Sequence, residues 1–313
     1  YYPSACLVSH EADANGDSQY VLRMLSAPYA PPQSLDIGRI DDMACTREAY
    51  YILAFETPLR LAIYYQPVMS SNVWKTTVVM DVPVTPGTNR LYLDEQVICV
   101  WPEETGGQGR SMQIHCLDRK TGLAKWRTRV LPGAFRGFAA DKTQLAFATD
   151  QAVFALSRDG EILDAQRIET KGRLRARQSC QLDNRLIFTT EPGVFASYHL
   201  ESHVIDWRYA ALSPDFVHCS RNDTFVFSES GGYLLAVDVE NDRPLWKYRT
   251  YAVPHDALTY GNVIYLLMDR AILAIDRVTG RRLAQIPMMW RAERFIQSGA
   301  NIYLDTPDAV YTW

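Results

Sequence analysis

The sequence predicts an all-β protein that is built from repeated four-stranded units. Three observations support this prediction. A pattern of strand, turn and strand recurs about every 40 residues, turn-forming residues separate short strand-like runs, and almost nothing in this region has the 3.6-residue apolar period of an amphipathic helix. Hydrophobic residues make up 47% of the 313 residues, which is enough for a large core.

The repeat can be measured at the last turn of each unit, between the turn residue and the residue four places later. The second members of these pairs are spaced by 38, 43, 39 and 38 residues, so the period is near 40 across half of the chain. A fixed period of this length indicates that each repeat is one supersecondary unit. The pairs are Gly122 and Trp126, Gly160 and Asp164, His203 and Trp207, Asp242 and Trp246, and Gly280 and Ala284.

The fifth unit shows what one period contains. Strand-like runs occupy residues 215–220, 224–229, 233–238 and 244–249, and turn formers such as Ser230-Gly231-Gly232 stand between them. The sixth unit repeats the arrangement. Four-stranded antiparallel units of about 40 residues are the blades of a β-propeller, in which neighbouring blades bury each other's faces.

The count of blades follows from extending this period in both directions. Upstream, Trp74 closes a first unit, and the 52-residue gap to Trp126 indicates an insertion at residues 102–111. Downstream, the last unit lacks an outer strand, so we expect the N-terminal strand 19–25 to complete it and close the ring in a single domain, 1–313. Residues 4–9 leave an eighth partial blade as the alternative. The seven predicted blades are 38–80, 83–131, 134–169, 172–210, 213–250, 252–288, and 292–313 with 19–25.

The segments CLDRKTGLAKW, LAVDVENDRPLW and AIDRVTGRRLA resemble the PQQ-like propeller repeat, which carries an Ala-x-Asp core, a Thr-Gly turn and a Trp four residues beyond the Gly. The resemblance covers residues 112–288. It implies a propeller fold but no single activity. Quinone-dependent alcohol dehydrogenases of this family bind a quinone cofactor and Ca²⁺ and carry a vicinal cysteine pair. This chain has no adjacent cysteines, so we expect a non-enzymatic branch without a cofactor.

Two further resemblances imply different settings for the same fold. One is to the bacterial outer-membrane assembly lipoprotein, which uses a PQQ-like propeller as a scaffold. The other, weaker resemblance lies in DMACTREAYYILAFETPLRLAIYY and is to the propeller domains that follow an F-box in fungal proteins. Because residue 1 is Tyr, we expect a segment upstream of it, such as a signal peptide or an N-terminal domain.

Charge and cysteine content bear on partners and compartment. The formal net charge of −4 gives no general attraction to nucleic acid, and no apolar run is long enough to span a membrane. None of the six cysteines forms a CxxC motif, which argues against zinc. We expect Cys99, Cys116, Cys180 and Cys219 to be small buried hydrophobes, which favours a cytoplasmic or nuclear location over a periplasmic or secreted one.

The candidate binding residues lie where the chain enters the first strand of each blade, near one face of the propeller. Arginine suits bidentate contacts with carboxylate or phosphate, so these positions predict a face that binds an acidic or phosphorylated peptide. The alternative is that these arginines pair with neighbouring Asp141, Asp183 or Glu293 and have a structural role. The predicted binding residues are Arg136, Arg175, Arg177, His218, His255 and Arg294, and Asp42 occupies the corresponding position in the first blade.

These observations predict a protein-interaction scaffold or substrate-recognition module without catalytic residues, metal or cofactor. The loop PMMW at 287–290 is either a protein-contact hot spot or a packed connection between blades. An enzyme with its active site in the propeller channel, either a quinoprotein or a hydrolase or lyase, remains the alternative from another class. It stays open because propeller enzymes distribute their site residues over several blades. The sequence does not predict an oligomeric state.

Overall fold

A computed structural model describes most of the chain, and every regular element in it is a β-strand. The chain divides into two compact units, residues 1–134 with 297–301 and residues 135–296 with 302–313. The described residues are 6–12, 18–24, 33–35, 39–46, 48–68, 73–86, 88–102, 111–168, 179–190, 194–210, 216–220, 224–229, 232–241, 243–289, 291–292, 294–298, 301–305 and 310–312.

The first unit contains two four-stranded antiparallel sheets at the places where the repeat predicts them. A three-stranded sheet precedes them, and the pair β10–β13 accompanies the second. Its strands are β1 (Cys6–Ala12), β2 (Ser18–Met24), β3 (Gln33–Leu35), β4 (Ile40–Cys45), β5 (Ala49–Thr57), β6 (Arg60–Pro67), β7 (Trp74–Val79), β8 (Asn89–Leu93), β9 (Val97–Pro102), β10 (Ser111–Met112), β11 (His115–Asp118), β12 (Ala124–Arg127) and β13 (Leu131–Pro132).

The second unit contains four four-stranded antiparallel sheets, each with its strands in sequence order, and strands of a last three-stranded sheet follow. The strands are β14 (Phe135–Ala140), β15 (Gln144–Thr149), β16 (Ala152–Ser157), β17 (Ile162–Arg167), β18 (Ser179–Leu182), β19 (Arg185–Thr190), β20 (Val194–His199), β21 (Val204–Ala210), β22 (Val217–Ser220), β23 (Thr224–Glu229), β24 (Tyr233–Asp238), β25 (Arg243–Arg249), β26 (Asp256–Tyr260), β27 (Val263–Met268), β28 (Ala271–Asp276), β29 (Arg282–Pro287), β30 (Arg294–Ser298), β31 (Asn301–Asp305) and β32 (Val310–Thr312).

The inner strands of these sheets are apolar on both faces, which explains why the sheets stack. All six residues of β15 are buried, whereas β17 at the outer edge has no fully buried residue. One core cluster joins Leu234 and Trp246 of the β22–β25 sheet to Ile264 and Leu266 of the β26–β29 sheet. A strand that is buried on both faces needs a neighbour on each side, so a single sheet of this kind is not stable alone.

A β-bulge recurs at the same place in five of the sheets. The register between the third strand and the outer strand shifts by one residue in each case, just before the turn that ends the third strand. Because a bulge increases local twist, the repeated shift gives the outer strands a common twist. The shifts lie at Cys116/Leu117, Ala155/Leu156, Ser197/Tyr198, Ala236/Val237 and Ala274/Ile275.

The tryptophan of one repeat packs on the glycine turn of the next repeat. Trp246 on β25 lies so close to Gly280 that a Cβ placed on this glycine would be 2.5 Å from the indole. Trp74 makes the corresponding contact with Gly122, where the closest approach would be 2.7 Å. Both glycines have a φ of 68°. The repeated Gly and Trp therefore belong to one contact between consecutive sheets.

The glycine turns are held by the aspartate that precedes them. The carboxylate of Asp276 accepts hydrogen bonds from the backbone N–H of Thr279 at 2.8 Å and from the Thr279 hydroxyl at 2.8 Å. Asp118 makes the same pair of bonds with Thr121, both at 2.9 Å. This explains the Asp and Thr-Gly pattern that defines the repeat in the sequence.

The cysteines differ from the sequence expectation. Cys99 and Cys116 form a disulfide between the paired strands β9 and β11, and Cys180 and Cys219 form a second disulfide between β18 and β22. Cys45 is also disulfide-bonded. The prediction of four unpaired buried cysteines was therefore wrong, because each pair lies on neighbouring strands with Cα atoms 4.1 Å and 5.7 Å apart.

The N-terminal strand pairs locally. Ser18–Met24 is the central strand of the β1-β2-β3 sheet and pairs with β1 on one edge and with β3 on the other. The strands β30, β31 and β32 belong to a different sheet. Short connections favour such pairing between consecutive antiparallel strands. The joint blade of 19–25 with 292–313, the number of blades and the single domain over residues 1–313 stay predictions.

Substitution Gly280→Ala tests the contact with Trp246. We expect a loss of about 2–4 kcal/mol in the free energy of unfolding, because the new methyl group meets the indole and alanine disfavours positive φ. Gly261→Ala is the matched control, since Gly261 has a φ of 58° but no atom within 4 Å of its Cβ position. The control should lose about 1 kcal/mol. Equal losses in urea unfolding would contradict the packing argument.

The disulfide between Cys180 and Cys219 gives a second stability prediction. It closes a loop of sequence separation 39, so the double substitution Cys180→Ser and Cys219→Ser should lower the free energy of unfolding by about 2–4 kcal/mol. Reduction of the wild type should lower the melting temperature, and the double variant should respond less to the reductant. The non-reduced wild type should not react with a thiol-alkylating reagent at Cys180 or Cys219. Alkylation at either position would show that the disulfide is not formed.

Candidate functional site

Of the predicted site residues, Arg136 is held inside the second unit. It lies on β14, is buried, and its guanidinium is 3.7 Å from the carboxylate of Asp150. Its Nη1 also donates a hydrogen bond to the carbonyl of Phe135 at 3.3 Å. The acid beside Arg136 is therefore Asp150, which is none of the three acids named in the sequence analysis, and the availability of Arg136 to a partner stays a prediction.

His218 connects two neighbouring sheets. It lies on β22, and its Nε2 is 2.8 Å from the hydroxyl oxygen of Thr259 on β26. Burial lowers the pKa of His218 to about 4, so the imidazole is neutral at neutral pH. The half-buried ring thus helps to join the two sheets, and its role as a binding residue stays a prediction.

Side chains link the first strands of several consecutive sheets within each unit. In the first unit, Asp42 accepts a hydrogen bond from the Leu91 backbone N–H at 2.9 Å. In the second unit, Gln181 accepts one from the Ala140 N–H at 3.0 Å, and Asp256 accepts one from the Phe295 N–H at 2.7 Å. Burial raises the pKa of Asp256. Several first-strand positions are therefore already used to join the sheets.

The remaining predicted residues divide into two groups. Arg175 and Arg177 lie outside the described residues, so their role stays a prediction. Arg294 begins β30 with an exposed side chain, and its charge partly offsets the effect of burial on the neighbouring Asp256. His255 precedes β26 and takes part in the best-defined polar cluster of the second unit.

This cluster is centred on Asp269, and we call it the Asp269 cluster; its members are His255, Asp269, Arg270, Met289 and Arg291. The Nε2 of His255 is 2.6 Å from the Asp269 carboxylate, and the Nε of Arg291 is 3.8 Å from the same oxygen. Asp269, Arg270, Met289 and Arg291 line an open cavity of about 650 Å³. Met289 is 94% exposed, so it does not fill this cavity as a core residue.

The strand register explains why residues from three separate loops meet here. Asp256 pairs with Leu267, Met268 pairs with Ala271, and Ala271 pairs with Pro287. These pairs lie at one end of the β26–β29 sheet. The loop before β26, the turn between β27 and β28 and the loop after β29 therefore leave the sheet at the same end. They contribute His255, the Asp269-Arg270 pair and the Met289-Arg291 segment, respectively.

The Asp269 cluster has an excess of positive charge. The pKa of Asp269 is lowered, chiefly by its hydrogen bond with His255 and also by the nearby charges of Arg291 and Arg270. One ionised carboxylate thus faces two arginines and a histidine. Exposed guanidinium groups and a neighbouring thioether suit the binding of an acidic partner segment with an apolar residue beside it.

Sequence reasoning found part of this cluster. It predicted His255 as a binding residue, and it gave the loop at 287–290 as either a protein-contact hot spot or a packed connection between blades. It missed Asp269, Arg270 and Arg291, because a two-residue turn and an isolated charge have no distinctive pattern. The strand order predicted for the sixth unit could have revealed these residues, because antiparallel pairing brings their loops to the same end of the sheet.

A second cavity of about 510 Å³ lies at the turns of the β14–β17 and β18–β21 sheets. His203 stands there where other repeats have glycine, and it adopts a φ of 56°. Its Nε2 is 2.8 Å from the side-chain oxygen of Gln144, and its ring stacks on Tyr198. The histidine is thus engaged within the protein. Across the described part of the chain, no group of three or more His, Cys, Asp or Glu residues is arranged to hold a metal ion.

The architecture defines the class of protein: a β-propeller of four-stranded antiparallel blades with repeated Trp-on-Gly contacts. The family model described as outer membrane protein assembly factor BamB matches residues 70–285. The chain belongs to this family. This confirms the predicted membership of the PQQ-like propeller repeats. A search of the curated proteins finds no match.

Solved structures support the fold independently of sequence identity. A computationally designed protein, Ika8, matches with a TM-score of 0.67 at 11% identity, covering 100% of this chain and 94% of the other. BamB from Moraxella catarrhalis matches with a TM-score of 0.63 at 13% identity, covering 99% and 98%. Saccharomyces cerevisiae Sqt1 matches with a TM-score of 0.64 at 10% identity, covering 98% and 91%. No helix among the described residues is long and apolar enough to cross a membrane.

The lowered pKa of His218 predicts a pH-dependent stability. The folded protein has a pKa of about 4 at this site, below the ordinary value of 6.5, so the unfolded chain binds more protons between these values. The free energy of unfolding should be highest above pH 6.5 and fall toward pH 4, by up to about 3 kcal/mol for this residue. His218→Gln should flatten this fall in urea unfolding.

His115 is the internal comparison for this experiment. Burial and the neighbouring charge of Arg127 lower the pKa of His115 to about 4 as well, so His218→Gln should retain the share of the pH dependence that His115 contributes. A variant whose stability falls with pH as steeply as that of the wild type would show that His218 is protonated in the folded protein.

Proposed function

We propose that the protein is a propeller scaffold that binds an acidic segment of a partner protein through the Asp269 cluster. Membership of a family described as assembly factors supports the scaffold role, and the charge arrangement of the cluster supports the acidic partner. The observation that carries the proposal is the pairing of one carboxylate with His255 and Arg291 at an exposed sheet end, where Arg270 lines the same cavity.

The geometry favours binding over chemistry. Asp269 has a lowered pKa and stays ionised, so it is a poor general acid, and its contacts are with His255 and Arg291. The guanidinium group of arginine binds carboxylate or phosphate through two hydrogen bonds, and no covalent bond is formed or broken. Arg270 and Arg291 are exposed and line the same cavity, so their N–H donors are placed to contact a partner. A non-enzymatic role is therefore part of the proposal.

A second candidate function is a scaffold in envelope protein assembly, and the family match favours it. The family is described as outer membrane protein assembly factor BamB, and the model covers residues 70–285 of this chain. The disulfides Cys99–Cys116 and Cys180–Cys219 support a location in an oxidising compartment rather than the cytoplasm or nucleus. An acidic segment of an assembly partner would be the ligand in this case.

The test uses charge reversal of the Asp269 cluster. Arg270→Glu with Arg291→Glu should weaken binding of a fluorescently labelled oligoglutamate peptide by at least about tenfold, because two attractive charges become repulsive. Fluorescence anisotropy at two salt concentrations measures the dissociation constant. Wild-type binding should weaken as salt screens the charges.

The matched control is Arg281→Glu with Arg282→Glu. These arginines lie on the turn and outer strand at the opposite end of the same sheet, are exposed, and give the same change in net charge. The control should bind the peptide nearly as well as the wild type. If both double variants lose affinity equally, the effect comes from net charge, and the Asp269 cluster is not the binding site.

A further inference from the structure

We infer that Arg249, together with Tyr233 and Tyr251, forms a separate oxyanion-binding site at the outer edge of the β22–β25 sheet. The ligand chemistry is a planar or tetrahedral oxyanion, either a carboxylate or a phosphate. This inference concerns different residues from the Asp269 cluster and does not rest on the proposed function.

The strand register places Tyr233 and Arg249 of this site, and Lys247 beside them, on one face of the sheet. Tyr233 at the start of β24 pairs directly with Arg249 at the end of β25. Lys247 is two residues before Arg249, and alternate residues of a strand point to the same face. Directly opposed and diagonal neighbours on one face are within reach of long side chains. Tyr233, Lys247 and Arg249 therefore form a row at the sheet edge.

The guanidinium of Arg249 is oriented by two aromatic rings. Its central carbon lies 4.5 Å from the centroid of the Tyr251 ring and 5.6 Å from that of Tyr233. The ammonium of Lys247 lies 4.5 Å from the Tyr233 centroid. Stacking on tyrosine restricts the rotation of a guanidinium without using its N–H donors. The arginine is thus held in a defined position before a ligand binds.

The donors of Arg249 are available in this position. Within the described residues its guanidinium makes no hydrogen bond and no ion pair, and its side chain is exposed to solvent. By contrast, Arg243 on the same strand is engaged by Asp238, with the Nε 3.3 Å from the carboxylate. A pre-oriented guanidinium with free donors is the arrangement that grips a carboxylate or phosphate through two parallel hydrogen bonds.

The backbone at Tyr251 supports a binding role. Tyr251 has a φ of 62°, which costs free energy for a bulky residue, and yet its side chain is 78% exposed. The carbonyl of Gly232 holds this conformation, since it accepts hydrogen bonds from the Thr250 N–H at 2.8 Å and the Tyr251 N–H at 3.2 Å. Burial does not explain a strained, solvent-facing tyrosine, whereas its stacking with Arg249 gives it a role.

The experiment observes Arg249 directly. The arginine Nε–Hε signals of ¹⁵N-labelled protein are recorded during titration with inorganic phosphate and, separately, with sodium acetate. The Arg249 signal is assigned as the one that disappears in Arg249→Lys, a substitution that keeps the charge and removes the planar fork. We expect a saturable shift of this signal. A stronger shift with phosphate indicates a phosphorylated ligand, and a stronger shift with acetate indicates a carboxylate.

Three substitutions at Tyr251 test the role of its ring. Tyr251→Ala should weaken the apparent affinity by about tenfold, since the guanidinium loses its stacking partner, whereas Tyr251→Phe should retain it. Tyr251→Gly removes the backbone strain together with the ring, so it should raise the melting temperature and still lose affinity. This combination separates binding from folding.

The Arg243 signal is the control within each spectrum and should shift less than that of Arg249 at every concentration. The inference is overturned if neither anion gives a saturable shift at Arg249, or if Arg243 shifts equally. Repeating the titration with Arg270→Glu and Arg291→Glu separates the two sites, because the Arg249 response should persist there. In the wild type, the absence of an Arg249 response together with binding of oligoglutamate at the Asp269 cluster would reject this inference and leave the proposed function standing.

Discussion

The packing of a tryptophan on the glycine turn of the next sheet is the contact on which the repeated architecture depends. The indole N–H of Trp246 donates to the Arg277 carbonyl at 2.7 Å, and its ring covers Gly280 so closely that a side chain there has no space. The contact fixes the outer half of one sheet against the turn of its neighbour. Because inner strands are apolar on both faces, this alignment allows neighbouring sheets to exclude water from their shared face.

The inner edges of the sheets are joined by different chemistry at each step. Within the second unit, Gln181 bonds to the backbone of Ala140, and Cys180 forms a disulfide with Cys219. His218 then bonds to Thr259, and Asp256 receives the Phe295 amide. The same Trp-on-Gly contact recurs at two outer steps, Trp74 on Gly122 and Trp246 on Gly280, whereas the inner contacts differ from step to step. Variation among inner residues therefore does not by itself indicate a binding face.

Much of the fold was predictable from the sequence because its determinants are local and repeated. The spacing of the turns gave the six four-stranded sheets, since the Asp276 and Thr279 bonds and the bulge at Ala274/Ile275 form within one hairpin. The pairing of Cys180 with Cys219 was also accessible. The two residues are 39 apart, which is one period, so they occupy equivalent positions on neighbouring first strands. The pairing of the N-terminal strand depends on competition between partners, which the period does not describe.

The candidate sites were less predictable because they depend on loops that do not repeat. Tyr251 and His255 belong to the same loop, between β25 and β26. They are four positions apart in the chain, which limits the distance between their Cα atoms to about 14 Å even in an extended chain. An extended partner segment of about five residues would span that distance, and simultaneous contact at Arg249 and at the Asp269 cluster would raise the affinity above that of either site. For a partner that contacts both proposed sites, this loop would therefore limit the spacing between its two acidic groups.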